Sequence, residues 1–205
     1  MFSLDDRFAA KAILGCADGP ASFPVEARLR NWNVVSCDPI YAYAPCEIRQ
    51  RIAETYATVM QQIQQNADDF LWTHFSSPDH LGRVRMAAMN LFLEDFAAMG
   101  NGSQYVAAEL PQLPFVERQF DVALVSHFLF LYSSLLNLEF HAASICELLR
   151  VAKEVRIFPV TSLDGSVSPH LEPLLNDLRF DGELIRVEYE FARNANEMLL
   201  VRERL

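Results

Sequence analysis

The sequence predicts an α/β fold: a doubly wound, mainly parallel seven-stranded sheet with a C-terminal antiparallel hairpin and an inserted helical pair. Three stretches carry this expectation. Ala12-Ile-Leu14 is a short apolar run that enters a small-residue loop holding Gly15, Ala17 and Gly19, with Pro20 behind it at the expected first helical position. A strand, a tight loop and a helix N-terminus together present backbone N–H groups to a ligand, and small residues let it approach. Val34-Val-Ser-Cys-Asp-Pro-Ile40 reads as the next strand, ending on Asp38, about 20 residues past the loop, where Rossmann-like folds place an acid on a ribose hydroxyl. Leu184–Phe191 and 197–201 alternate around Asn194-Ala-Asn196, as a hairpin does.

Taken in order, Ala21–Arg30 is expected as a short helix, with Pro24 tolerated in its first turn. Trp32–Cys37 is strand two. Residues 41–103 are longer than a plain crossover requires, and their pattern gives two helices. The first has apolar residues at Ile48, Ile52, Tyr56, Val59, Met60 and Ile63. The second opens at Ser77-Pro78-Asp79, an N-cap followed by Pro at N1, and stops at Gly100-Asn-Gly102. Phe70-Leu-Trp-Thr-His-Phe75 joins them. This segment is expected to be a lid over the ligand cleft, or else an extension of the core or a dimer arm. Gln104–Ala108 is strand three. Phe120–Ser126 is strand four, a nearly unbroken apolar run suited to a buried parallel strand. Leu135–Ala152 is an amphipathic helix, Val155–Val160 is strand five, and His170–Leu178 is a further helix.

At these residues the chain resembles the class I S-adenosylmethionine (SAM)-dependent methyltransferases. Leu14-Gly-Cys-Ala-Asp-Gly-Pro20 is similar to the family's first motif, and Cys37-Asp-Pro39 to its second. The stretch from Leu113 to His127 is similar to its "LPF…FD" approach to strand four, and Cys146–Lys153 to the helix before strand five. Three positions depart from the family: Ile13 stands where an acid usually helps hold the ligand's amino-acid end, Ala17 replaces the middle glycine, and Lys153-Glu154 replaces a Gly-Gly turn. The resemblance implies one methyltransferase-like domain over residues 1–205 with an insertion at 41–103. It also implies SAM as methyl donor and a small molecule or a protein side chain as acceptor.

Ligands of open α/β sheets bind beyond the carboxyl ends of the strands. The expected cofactor-binding residues are therefore Gly15, Cys16, Ala17, Gly19, Asp38, Pro39, Glu109 and Ser126, with Pro159–Ser162 nearby. Asp38 can accept both ribose hydroxyls, or cap the turn that follows it. Glu109 stands where relatives often place an acid near the adenine; the alternative is an exposed strand-end carboxylate. Asp18, inside the loop, is expected to cap the first helix rather than to contact the ligand. Tyr41 and Tyr43 either cover the adenosine or fill core. His127 is the histidine at a strand end facing the cleft, hence the candidate general base; the alternative is packing. Methyl transfer from a sulfonium asks mainly for alignment, so no further catalytic motif is required.

The net charge of −10 and sequence pI of about 4.9 lack the basic footprint of a nucleic-acid surface, and the only lysines are Lys11 and Lys153. Cys16, Cys37, Cys46 and Cys146 form no C-x-x-C pair, which fits a reducing, cytoplasmic setting. No metal site, signal peptide or bilayer span is read, and an oligomer would form through the insertion. Two rival readings stay open: a non-catalytic nucleoside-binding protein on the same fold, and a nicotinamide-dependent oxidoreductase, although Gly15-x-Ala17-x-Gly19 is not G-x-G-x-x-G.

Overall fold

The computed structural model describes residues 1–100, 102 and 104–204. The elements run β1 (Ala12–Cys16), α1 (Phe23–Leu29), β2 (Asn33–Cys37), α2 (Pro45–Gln65), α3 (Pro78–Met99), β3 (Tyr105–Val106), β4 (Val122–Ser126), α4 (Leu138–Val151), β5 (Glu154–Phe158), α5 (Leu171–Leu175), β6 (Phe180–Arg186) and β7 (Glu197–Glu203). The seven strands form one sheet in the order β3-β2-β1-β4-β5-β7-β6. Pairing is parallel from β3 through β5; β7 is antiparallel to both β5 and β6. Strand order reverses at β1 and β4, which opens the crevice where doubly wound sheets take ligands.

Alternation along the strands divides the core between two faces. Ile13, Val34, Val122 and Leu124 meet Phe8 and Ala27 of α1 on one face. Leu14, Cys16, Ala123, Val125, Val155 and Ile157 meet Ile145 and Leu148 of α4 on the other. Ile13 is fully buried, so the position of the family's acid belongs to the core. Arg156 reaches across the first face, its guanidinium 4.8 Å from the Phe8 ring centroid, while its Nε donates to Glu154 at 2.7 Å.

Both helices of the inserted pair are present, and they do different jobs. Ser77 caps α3 as expected, its Oγ accepting from His80 N at 3.1 Å, with Pro78 at the first helical position. The second half of α3 is core: Phe92, Leu93 and Phe96 pack with Tyr41, Ile48, Ile52 and Tyr105 in one cluster. An ion pair between Arg28 and Asp95 ties α3 to α1. Thus α3 serves as the crossover between β2 and β3, and α2 with the linker after it is the added part. α2 crosses α3 at Gly82, where a Cβ would stand 2.5 Å from Tyr56 Oη. The 103 boundary of the expected insertion and Asn101 of the expected helix stop lie outside the described residues.

Several boundaries moved. α1 starts at Phe23, so Pro20 lies in the loop and Pro24 is the proline in the first turn; Ser22 is the N-cap, and its Oγ donates to Glu26 at 2.6 Å. The expected helix from Leu135 begins at Leu138, because Asn137 caps it by accepting from Phe140 N at 2.9 Å. β3 has only two residues. β6 begins four residues earlier than the alternation implied, with Arg186 opposite Glu197, and residues 187–196 form a loop. Among the described residues, no helix is long and apolar enough to cross a membrane.

Candidate functional site

The loop after β1 is built from backbone that L-residues resist. Ala17 has φ +58° and Gly19 φ +60°. Ala17 stands in the middle-glycine position, and its left-handed conformation costs an L-residue about 1–2 kcal/mol. Ala17→Gly is therefore expected to stabilise the protein by about 0.5–1 kcal/mol in urea denaturation, once the added flexibility of the unfolded chain is subtracted. Destabilisation would show that the strain is absent. Gly15 is required by packing instead: a Cβ there would lie 2.0 Å from Asp18 Oδ2. A Cβ on Gly19 would meet nothing within 4 Å, so that side of the loop is open.

β2 and the turn after it pin this loop. Asp38 Oδ2 accepts from Gly19 N at 2.8 Å, and Oδ1 accepts from Ile40 N at 2.9 Å. Asp38 thus caps the short turn opened by Pro39 and also holds the loop. Burial pushes its pKa up, and the two N–H donors oppose that rise. The expected capping of α1 by Asp18 does not occur. Its carboxyl turns inward over Gly15 and pairs with Ser36 Oγ, because a buried hydroxyl on β2 is the nearest partner for a group facing the sheet. Burial raises the Asp18 pKa to about 7, against the Ser36 hydrogen bond, with the Asp38 charge adding to the rise. Ser36 Oγ also lies 2.9 Å from Tyr41 Oη, which donates to Gly19 O at 2.8 Å. Tyr41 is core and Tyr43 is exposed. Neither Asp18 nor Ser36 was among the expected site residues; the available signal was one hydroxyl within the apolar strand Val34-Val-Ser-Cys37.

The structure joins Gly15–Gly19 to Asp38 and separately brings Ser126 and His127 together. Ser126 Oγ lies 2.8 Å from His127 Nδ1 and 3.4 Å from Met1 Sδ. His127 extends the β4–β5 ladder, donating its N–H to Phe158 O at 2.7 Å with φ +53°. Loss of solvation around the ring, with the Arg85 cation and the N-terminal amine adding to it, drops its pKa to about 4. At neutral pH it is a neutral imidazole. Cys16 points into the α4-side core, so only its backbone faces the loop. Glu109 is exposed at the start of a turn, its carbonyl accepting from Gln112 N at 3.2 Å. Ser162 lines a different cavity of about 520 Å³ with Ser133, Ser134 and Ser166.

The linker between α2 and α3 reaches the loop between β6 and β7. Leu71 N donates to Phe191 O at 2.7 Å, and Arg193 N donates to Asp69 O at 2.9 Å. Phe70 stacks on Phe191 at 4.7 Å between centroids, with Trp72 and Phe75 edge-on to the same ring at 5.7 and 5.3 Å. His74 stacks on Tyr189 at 5.1 Å, Tyr189 meets Phe158, and Phe158 meets His127. Since β6 runs parallel to β5, this loop and the linker both lie at the carboxyl end of the sheet. The linker forms a strap joined to the hairpin loop, and α2 leads to it from the end of β2.

No family model matches the chain. Among solved structures, the PH0226 protein from Pyrococcus horikoshii OT3 is 11% identical with a TM-score of 0.48, covering 95% of this chain and 82% of that one. Magnesium protoporphyrin IX methyltransferase (ChlM) from Synechocystis PCC 6803 with bound SAM is 13% identical with a TM-score of 0.46, covering 95% and 70%. The antiparallel β7–β6 hairpin on an otherwise parallel sheet is the feature that the resemblance to class I methyltransferases implies. In sequence, the uncharacterized protein MJ0045 of Methanocaldococcus jannaschii is 31% identical over 203 residues, 98% of this chain and 90% of that protein. The chain belongs to the family of MJ0045.

Proposed function

We propose that the protein is a SAM-dependent methyltransferase whose acceptor is a small molecule or a protein side chain. The observation that carries this reading is the joint between Gly19 and Asp38 at the point where strand order reverses. The residues fit the nucleoside. Each Asp38 oxygen accepts one backbone N–H and keeps a second lone pair for a ribose hydroxyl, and the space beside Gly19 is open. In this reading Gly15, Cys16, Ala17 and Gly19 offer backbone to the ligand, Pro39 fixes the turn behind Asp38, and Glu109 and Ser126 border the adenosine and methionine ends. SAM supplies a methyl group on a sulfonium, already a good leaving group.

What the chain adds is placement and exclusion of water. Residues 1–205 act as one domain, and the strap from residues 66 to 77 roofs the cleft, which strengthens electrostatic contacts beneath it. In the tautomer whose Nδ1–H donates to Ser126 Oγ, His127 keeps its lone pair on Nε2, and that nitrogen takes the acceptor's proton. A pKa of about 4 makes it a weak base, matched to an acceptor that loses its proton as the methyl group arrives. The charge of −10 favours a small or protein acceptor over nucleic acid, in the cytoplasm. Hydrogen exchange with and without S-adenosylhomocysteine tests the roof. Slowing is expected in residues 14–20, 66–77 and 187–196 together, while the core half of α3 stays protected throughout. Slowing confined to residues 14–20 would leave the strap as a structural brace and place the acceptor pocket elsewhere.

A further inference from the structure

Asp18 Oδ2, Ser36 Oγ, Tyr41 Oη and Gly19 O form a chain of three hydrogen bonds beneath the ligand loop. Each link needs one proton, and the groups that can bring them are few. The Gly19 carbonyl has none, so Tyr41 donates there. Ser36 carries one proton for its two links. With Asp18 ionised, Ser36 donates to the carboxylate and the Tyr41 link has no proton of its own; with Asp18 protonated, all three links are filled. We propose that Asp18 stands as a neutral carboxylic acid that positions the ligand loop through Ser36 and Tyr41, and that ligand affinity falls when it ionises. This rests on the reading that Gly15–Gly19 and Asp38 hold the nucleoside.

The surroundings agree with a neutral acid. Among the described residues, the titratable groups around Asp18 are Cys16 from β1, Asp38 at the end of β2, Tyr41 from the following turn and Tyr105 from β3, and none of these is a cation. Burial holds the carboxyl well above the usual range. On ionisation Asp18 accepts a hydrogen bond from the Ser36 hydroxyl, which turns away from Tyr41, and the Tyr41 hydroxyl proton is then shared between Ser36 Oγ and Gly19 O. Gly19 is fixed at both of its amide groups, by Asp38 at the nitrogen and Tyr41 at the oxygen. Loss of the second tie loosens the residue that anchors Asp38. The tight seat of the Asp18 carboxyl over Gly15 makes the acid and the loop one unit.

The test is the dissociation constant of S-adenosylhomocysteine from about pH 6 to pH 9, for the wild-type protein and for Asp18→Asn, whose amide donates to Ser36 at every pH. Wild-type affinity is expected to fall by up to about tenfold per pH unit above 7, the slope for loss of one proton, while the Asn variant stays flat. Ser36→Ala, a second variant that breaks the relay, is expected to bind at low pH as weakly as wild type does at high pH. In the ligand-free protein, an infrared carboxylic-acid band should titrate near pH 7 and be missing from Asp18→Asn. Equal, pH-independent binding by wild type and variants would overturn the positioning role and leave the nucleoside site standing. Absence of the band at pH 6 would overturn the neutral acid. A titrating band with no binding at any pH would bring down the SAM reading, and the loop's positioning role with it.

Discussion

From about pH 3.5 to about pH 8, the stability of Asp18→Asn relative to wild type is expected to rise by about 4 kcal/mol. The folded-state pKa of Asp18 stands near 7 against a model value of 3.8, and each unit is worth about 1.4 kcal/mol. The raised value sets the sign. Well below pH 3.8 the carboxyl is protonated in both states and contributes nothing. Between about 4 and 7 the unfolded chain releases the proton while the folded protein keeps it, so wild-type stability falls as pH rises. Above 7 both states have lost it and the penalty is constant. Asparagine has no proton to release and escapes this loss. Urea denaturation at the two pH values measures the gap; a gap independent of pH would mean that Asp18 is ionised in the folded protein.

Asp38→Ala is expected to weaken S-adenosylhomocysteine binding by about 1.5–3 kcal/mol, the range for hydrogen bonds to a charged group, or roughly 10- to 100-fold. The same change removes the acceptor of Ile40 N and Gly19 N, at a cost of about 1 kcal/mol in stability, typical of a lost cap. Asp38→Asn separates the two contributions. Its carbonyl can still accept from Ile40, whereas its NH2 group faces the Gly19 N–H and cannot accept it. Calorimetric titration of each variant, with its urea stability alongside, gives both numbers. An unchanged dissociation constant for Asp38→Ala would move the ribose contact away from β2.

The sheet was legible because its signals are local. The buried strands carry unbroken apolar runs, Ser77-Pro78 marks a helix start, and the paired C-terminal stretches alternate. β6 was misplaced because it is an edge strand, with only Phe180 fully buried in it; alternation is weak where one side of a strand has no neighbour. The Gly15–Gly19 loop and Asp38 were readable from spacing. Asp18 was not, because an aspartate in a loop before a helix reads as an exposed cap, and its turn toward Ser36 depends on a contact across two strands. The aromatic linker Phe70–Phe75 was visible in the sequence, whereas its partners Tyr189 and Phe191 lie more than a hundred residues away and looked like part of a strand. The division of the inserted pair into a core crossover and an outer helix was hidden for a similar reason. Both helices carry apolar stripes, and only the packing of Phe92 and Phe96 on Tyr41 and Tyr105 separates them.

The most direct test of the nucleoside site is the melting temperature with SAM, S-adenosylhomocysteine and NAD, each at a hundredfold excess over its dissociation constant where one can be measured. Binding to the folded state alone is worth about 2.7 kcal/mol at that excess, which for a chain of this length raises the melting temperature by roughly 5–10 °C. SAM and S-adenosylhomocysteine are expected to produce that rise and NAD to produce none. An equal rise with NAD, or no rise with any of the three, would contradict the assignment.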